Sequence, residues 1–80
     1  MNIVTTKRFD KQLEKHNSKS KQRLANAIDK LPDGDVLKMK GHNTPTLYRL
    51  RVGDYRIIFM MEVNIITLIK LDSRGDVYKD

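Results

Sequence analysis

The 80-residue chain contains no cysteine and no tryptophan, and it has only two prolines and four glycines. Without cysteine, neither a disulfide nor a thiolate metal site can hold the fold together, so side-chain packing must do so. The same absence predicts a reducing compartment, and we expect a cytoplasmic protein. The sequence also lacks a long apolar run and the layout of a secretory signal, so we expect neither membrane insertion nor secretion.

Signatures of cofactor-dependent and nucleophilic enzymes are missing as well. The glycines match neither a phosphate-binding loop nor a dinucleotide fingerprint, and no serine lies in a Gly-x-Ser-x-Gly turn. His16 and His42 are far apart, and no carboxylate lies at a spacing typical of metal ligands. We therefore expect no cofactor and no metal, and we interpret both histidines as helix-end or loop residues.

Acidic residues are scarce relative to basic ones. The chain has 16 Lys and Arg against 10 Asp and Glu, which gives a net charge of +6. Such a balance suggests nucleic acid or another acidic partner, although many soluble proteins carry a similar excess as solvated lysine. Only the positions of the basic residues can distinguish a binding surface for an acidic partner from a solvated surface.

The apolar spacing predicts a single α+β domain over residues 1–80. A short strand precedes a helix that Thr5 or Thr6 can cap, and Ser18 or Ser20 can cap a second helix. These helices are expected to form a hairpin on one face of an antiparallel sheet of three or four strands, with the other face open. The predicted sheet segments are a short one at 36–40, longer ones at 46–52, 55–61 and 65–71, and a last one at 77–79.

The turn Gly53-Asp54 sets the register of two of these strands, because a two-residue glycine turn fixes which side chains face each other. This register places Arg51 directly opposite Arg56, and alternation along the strand places Arg49 on the same face. Like charges in direct opposition destabilise a sheet. The arrangement therefore predicts that a polyanion, most simply a nucleic-acid backbone, lies across the three guanidinium groups.

Three stretches of the chain resemble the RelE/ParE superfamily of type II toxins. They are Lys38-Met39-Lys40-Gly41, Tyr48-Arg49-Leu50-Arg51-Val52-Gly53-Asp54-Tyr55-Arg56-Ile57-Ile58-Phe59 and Arg74-Gly75-Asp76-Val77-Tyr78-Lys79. The expected N-terminal strand, the basic helical hairpin and the length also fit, so the resemblance covers essentially the whole chain. The sequence departs from the family where many members have Gly-His-Arg and this chain has Asp72-Ser73-Arg74.

For the RelE branch, the resemblance implies an endoribonuclease that enters the ribosome, cuts mRNA and stops translation. It also implies a cognate antitoxin protein that wraps the toxin and inhibits it. The residues that correspond to the functional residues of the family are Arg49, Arg51, Arg56, Arg74 and Tyr78. Together with Arg49 and Arg51, Lys38 and Lys40 are expected to bind phosphates of mRNA or ribosomal RNA.

The expected mechanism uses the nucleophile that RNA itself carries. Cleavage requires a 2′-hydroxyl in line with the phosphate, removal of its proton, and stabilisation of the negative phosphorane. Arg56 and Arg74 suit the last task, because a guanidinium stays protonated and donates to two phosphate oxygens. Tyr78 is assigned as the general base, since nearby guanidinium groups favour a phenolate. No histidine lies among these residues, so orientation of the mRNA by the ribosome is expected to supply most of the cleavage rate.

Two alternatives remain open on the sequence alone. A ParE-like toxin shares the fold but poisons DNA gyrase by binding, without nuclease chemistry. A non-catalytic member would use its basic residues only to dock an acidic antitoxin segment or an operator complex, and Asp72 beside Arg74 is compatible with that role. The combination of Arg56, Arg74 and Tyr78 favours the nuclease.

Overall fold

The computed structural model describes residues 1–40 and 46–73. One strand and two helices come first along the chain, and four further strands follow. The elements are β1 (Asn2–Thr5), α1 (Lys7–Glu14), α2 (Ser18–Asp29), β2 (Val36–Lys38), β3 (Leu47–Val52), β4 (Tyr55–Glu62) and β5 (Ile65–Ser73). The strand expected at 77–79 lies outside the described residues. Within the described ranges, no helix has the length and apolar character that crossing a membrane requires.

All five strands belong to one sheet, in the order β1-β5-β4-β3-β2. Strands β2 to β5 pair antiparallel, whereas β1 pairs parallel to β5. The α+β class, the N-terminal strand and the helical pair are thus confirmed. The four strands after the helices form the expected antiparallel sheet, and β1 adds a fifth strand in parallel, because the two helices return the chain so that β1 runs beside β5. Asn2 N–H anchors this pairing by donating to the Asn64 carbonyl over 2.8 Å.

Each helix begins at a polar side chain that accepts a hydrogen bond from the first turn. Thr6 Oγ1 accepts from Phe9 N–H at 3.2 Å, which confirms Thr6 as the cap of α1. The prediction for α2 is wrong by one residue, since Asn17 Oδ1 accepts from Ser20 N–H at 2.8 Å. Asparagine, like serine, is a favoured cap, so local propensity does not separate these neighbouring positions.

The hydrophobic core lies between the helices and one face of the sheet. On β4, Ile57 and Phe59 are fully buried on this face, and the ring of Phe59 stacks on Tyr48 of β3 at 5.5 Å. Among the described residues, the buried members of this core are Phe9, Leu24, Leu31, Leu50, Val52, Ile57, Phe59, Ile66, Leu68 and Leu71. Because side chains alternate along a strand, the opposite face, here called the open face, receives Leu47, Arg49 and Arg51 from β3 and Arg56, Ile58, Met60 and Glu62 from β4.

Strand β5 contains a bulge at Ile69. Lys70 pairs with Ile58 of β4 while Leu68 pairs with the next residue of β4, so Ile69 is left without a partner in the ladder. The extra residue shifts the alternation, and Leu68 and Leu71 both face the core. Lys70 and Asp72 consequently project from the open face.

Helix α1 and its cap contact this bulge through two side chains. Thr6 Oγ1 donates to the Ile69 carbonyl over 2.9 Å, and Gln12 Oε1 accepts from Leu71 N–H at 2.7 Å. A bulge interrupts the ladder and leaves backbone groups that need other partners. The first helix therefore supplies hydrogen bonds that the sheet itself lacks at this point.

Candidate nucleic-acid interface

The hairpin of β3 and β4 brings three arginines together on the open face. Arg51 lies directly opposite Arg56, as the sequence predicts. Arg49, two residues before Arg51, shares the open face and lies opposite Ile58. These three residues are called the arginine patch below. The structure thus confirms the register on which the proposed polyanion contact depends.

A glycine at the first turn position is required to set this register. Gly53 has φ = 60°, and it is the only residue of the two-residue turn with a positive φ. Glycine at the first central position, with a positive φ, is the pattern of a type II′ hairpin turn. The guanidinium of Arg23 on α2 lies over Gly53, since an ideal Cβ added there would be 2.8 Å from Arg23 Cζ. The positive φ of this position therefore favours glycine, and the Arg23 guanidinium occupies the space beside it.

Gly53→Ala is expected to lower the free energy of unfolding by about 1–2 kcal/mol, because an L-residue is strained at this φ. The Arg23 guanidinium is the end of a flexible side chain and can move aside, so it adds little to this cost. The urea unfolding midpoint measures the effect. Asp54→Ala, in the same turn without a positive φ, is the matched control and should change stability by less than about 0.5 kcal/mol. Equal losses in both variants would contradict the assignment.

The arginine patch also covers apolar surface on the open face. Ile58 is only 6% exposed although it projects from this face. Its partners in register are Arg49 and Lys70, whose aliphatic stems are long enough to cover it while their charged ends remain in water. Arg51 is exposed, whereas Arg49 and Arg56 are half-buried. Stem packing therefore holds part of the patch in place.

One donor of the patch is unsatisfied. Arg49 Nε is buried and has no hydrogen-bond partner among the residues that the structure describes. A buried donor without a partner costs about 1–3 kcal/mol, and native proteins contain few of them. The unpaired donor and the direct opposition of Arg51 and Arg56 both destabilise the patch as long as no anion is bound to it.

A carboxylate on β5, that of Asp72, lies beside the arginine patch. Arg56 has Arg51 as its neighbour on β3 and Asp72 as its neighbour on β5. Asp72 Oδ2 lies 3.6 Å from Lys70 Nζ, and these partly exposed side chains form a surface ion pair of small energetic value. The sequence did not predict Lys70 and Asp72 beside the patch, because the turn after this strand left its register open and the strand was expected to end at residue 71.

The other residues that the sequence nominates for this site do not join the patch in the described part of the chain. Lys38 pairs with Tyr48, whose side chain packs on the core side, so Lys38 lies on the face opposite to the patch. Lys40 follows the end of β2. The nominated residues Arg74 and Tyr78 lie outside the described residues, as does His42.

His16 has a structural environment. It follows the end of α1, as expected for a helix-end residue, and its ring packs edge-on against Tyr55 with centroids 5.0 Å apart. The Tyr55 hydroxyl hydrogen-bonds to Ser20 Oγ at 3.0 Å, on the core side of the sheet. In residues 1–40 and 46–73, no group of three His, Asp or Glu side chains is placed to hold a metal ion.

A mostly apolar row of side chains crosses the open face away from the arginine patch. Val4, Thr67, Met60 and Leu47 are successive partners across β1, β5, β4 and β3. Met39 continues this row beyond β2, since its N–H donates to the Leu47 carbonyl over 2.9 Å. Val4 is 45% exposed and Met39 is 39% exposed. The open face thus presents cations nearest the β3–β4 turn and a mostly apolar row farther from it, with Glu62 beyond that row.

Solved structures with the same fold include toxin–antitoxin complexes. The archaeal RelE-RelB complex from Pyrococcus horikoshii OT3 matches with a TM-score of 0.75 and 28% identity, over 92% of this chain and 94% of that one. The RelB-RelE antitoxin-toxin complex from Methanococcus jannaschii matches with a TM-score of 0.74 and 24% identity, over 95% of each chain. The conserved protein HP0894 from Helicobacter pylori, at 15% identity, matches over 98% of this chain and 99% of its own with a TM-score of 0.71.

Sequence comparison identifies the family. None of the curated proteins compared with the chain matches it. The sequence model of the ParE toxin of the type II toxin-antitoxin system parDE matches residues 3–78, which is nearly the whole chain. Together with the RelE-like fold, this match shows that the chain belongs to the ParE toxin family, within the RelE/ParE superfamily of type II toxins.

Proposed function

We propose that this toxin is a ribosome-dependent endoribonuclease that cleaves mRNA and thereby inhibits translation. The observation that carries the proposal is the opposition of Arg51 and Arg56 with Arg49 on the same face. Opposed like charges destabilise a sheet, and a polyanion bound across them removes that repulsion. An RNA backbone provides such a polyanion, with phosphates that accept paired hydrogen bonds from guanidinium groups.

Within this proposal, Arg56 stabilises the negative charge that develops on the phosphorane. Its position on β4, the middle strand of the sheet, directly opposite Arg51, supports that role. Arg74 is proposed as the second clamp and Tyr78 as the general base. They follow Ser73 in the sequence, and Ser73 is the partner of Tyr55 at the same end of the sheet as the patch.

Arg49 and Arg51 are proposed to bind phosphates of mRNA or ribosomal RNA. Lys38 and Lys40 remain candidates for contacts of the same kind, but from the edge strand and its end rather than from the patch itself. Phosphate contacts of this type make binding steeply dependent on salt, because each contact releases condensed counterions.

The proposed protein partner is a cognate antitoxin, as in the similar complexes from Pyrococcus horikoshii and Methanococcus jannaschii. The open face has cations near the β3–β4 turn and a mostly apolar row farther from it. A segment with acidic residues at one end and apolar residues at the other would match both parts. Such a segment would also cover the arginine patch and so block RNA.

A second candidate is supported by the name of the matching family model, which is that of the ParE toxin. A ParE-like protein would bind DNA gyrase and poison it without cutting RNA. The opposed arginines would then contact gyrase or its DNA rather than a scissile linkage. The arginine patch could contact either RNA or gyrase with its DNA, so an activity assay has to identify the target.

The deciding experiment incubates the purified chain with mRNA-programmed ribosomes and, separately, with gyrase and supercoiled plasmid. Cuts in mRNA that require the ribosome are the expected result. Double-strand DNA breaks that require gyrase would instead establish the ParE-like activity. If a folded chain that binds its antitoxin gives neither reaction, both the nuclease and the gyrase-poison proposals are wrong. The chain would then be a member of the family that only binds its antitoxin.

A further inference from the structure

A cleft of about 270 Å³ opens between α2 and the end of β3, on the helix side of the sheet. It lies where β2 begins, and there Arg51 N–H donates to the Asp35 carbonyl over 3.0 Å. The floor includes the buried residues Leu50 and Val52. The cleft is smaller than the 300–1,000 Å³ or so typical of pockets for drug-sized ligands, so its size suits a small group.

Cations dominate the charged lining of this cleft. Arg23 from α2 and Lys30, just after the end of α2, contribute positive charge, against a single carboxylate, Asp35. Within the described residues, the one ion pair is between Lys70 and Asp72, so none of the cleft cations is neutralised there. The buried apolar floor keeps water away from one side of the cleft, which strengthens the attraction between these cations and an anion.

Two contacts link the cleft to the β3–β4 hairpin. The guanidinium of Arg23 lies over Gly53, in space that exists because that residue has no side chain. Arg51 lies between the cleft residues Leu50 and Val52 on β3, and its side chain projects from the open face as part of the arginine patch. Positive charge therefore continues from the open face, around the turn, to the outer surface of α2.

We propose that this cleft binds a phosphate group, and that in the working complex it is a backbone phosphate of RNA beyond the segment held by the arginine patch. A phosphate offers more acceptor oxygens than a carboxylate, and it therefore matches a guanidinium group and an ammonium together better. The assignment of this phosphate to RNA rests on the proposed nuclease function. The binding of a phosphate group in the cleft does not depend on that function.

Inorganic phosphate is the first probe, with acetate at matched ionic strength as the comparison. Backbone amide NMR shifts of Gly34, Val52 and Gly53 are expected to change saturably with phosphate and only weakly with acetate. Asp35→Asn removes the one carboxylate of the cleft and should tighten phosphate binding by about two- to threefold, since like charge disfavours the anion. Equal responses to the two anions, or shifts confined to the arginine patch, would overturn the phosphate site.

A matched pair of double variants tests the cleft cations. Arg23→Gln with Lys30→Gln removes two exposed cations from the cleft, whereas Arg8→Gln with Lys11→Gln removes two exposed cations from α1. Phosphate binding should weaken about tenfold in the first double variant and change little in the second. Equal losses in the two double variants would show general charge attraction instead of a site.

A fluorescent 12-nucleotide RNA then separates the two sources of phosphate. The cleft double variant should bind this RNA about tenfold more weakly than the α1 double variant, and its salt slope should fall by about one to two. Equal RNA affinity in the two variants would disprove the RNA assignment and leave a site for free phosphate. Because these measurements need no ribosome, a chain that binds in the cleft but cuts no mRNA would refute only the proposed nuclease function.

Discussion

Arg56→Gln is expected to slow single-turnover mRNA cleavage on programmed ribosomes by about 10²–10³-fold, the usual cost of losing one donor to a developing oxyanion. Arg56 lies on β4, the middle strand of the sheet, directly opposite Arg51, so a phosphate bound by the patch would lie beside it. Glutamine keeps much of the side-chain length but loses the charge and the forked donors. The measurement is the cleavage rate with ribosomes in excess.

The loss should not come from unfolding. Removing one of two opposed guanidinium groups relieves repulsion, so Arg56→Gln is expected to leave stability unchanged or to raise it by about 0.2–1 kcal/mol in a urea titration. Arg56→Lys keeps the charge but not the bidentate geometry and should recover only part of the rate. Arg8→Gln, an exposed change on α1, is the matched control and should cleave normally. Full cleavage by Arg56→Gln would remove Arg56 from the mechanism.

The arginine patch could be predicted from sequence because its determinants are local. A two-residue turn at Gly53-Asp54 fixes the pairing of the strands on either side, and alternation then fixes the faces. The pairing of these two strands depends on no contact between distant parts of the chain. The predicted opposition of Arg51 and Arg56 agrees with the structure for that reason.

Features that depend on distant parts of the chain were not predicted. The parallel pairing of β1 with β5 joins residues more than 60 positions apart, and no local pattern specifies it. The contact of Arg23 with Gly53, and the cleft beside it, depend on how α2 docks on the sheet. Residues 74–80, which include two nominated site residues, lie outside the described structure, so those roles remain predictions.

The bulge in β5 did leave a signal in the sequence. Ile66 and Leu68 follow the period of two, but the next core residue is Leu71, three positions later. A strand that buries residues three apart on one face must contain an extra residue between them. That spacing would have predicted Lys70 and Asp72 on the open face, beside Arg56, although it could not have identified the helix residues that support the bulge.

The double variant Thr6→Val, Gln12→Ala is expected to lower the free energy of unfolding by about 2–4 kcal/mol, out of about 4–12 kcal/mol for a chain of this length. Thr6→Val removes the cap of α1, worth about 1 kcal/mol, and the hydrogen bond to the Ile69 carbonyl. Gln12→Ala leaves the half-buried Leu71 N–H without its partner, at a cost of about 1–3 kcal/mol. Urea denaturation measures the sum.

The control double variant, Thr6→Ser with Gln12→Glu, keeps both functional oxygens and should stay within about 1 kcal/mol of the parent. Alanine is the best helix former, so helix propensity alone would make Gln12→Ala stabilising, and a loss must come from the missing acceptor. Hydrogen exchange at the Leu71 amide should accelerate in the alanine variant and not in the glutamate variant. Unchanged exchange at Leu71 and unchanged stability would mean that the strand holds its bulge without α1. The position of Asp72 beside Arg56 would then be set by β5 and β4 alone.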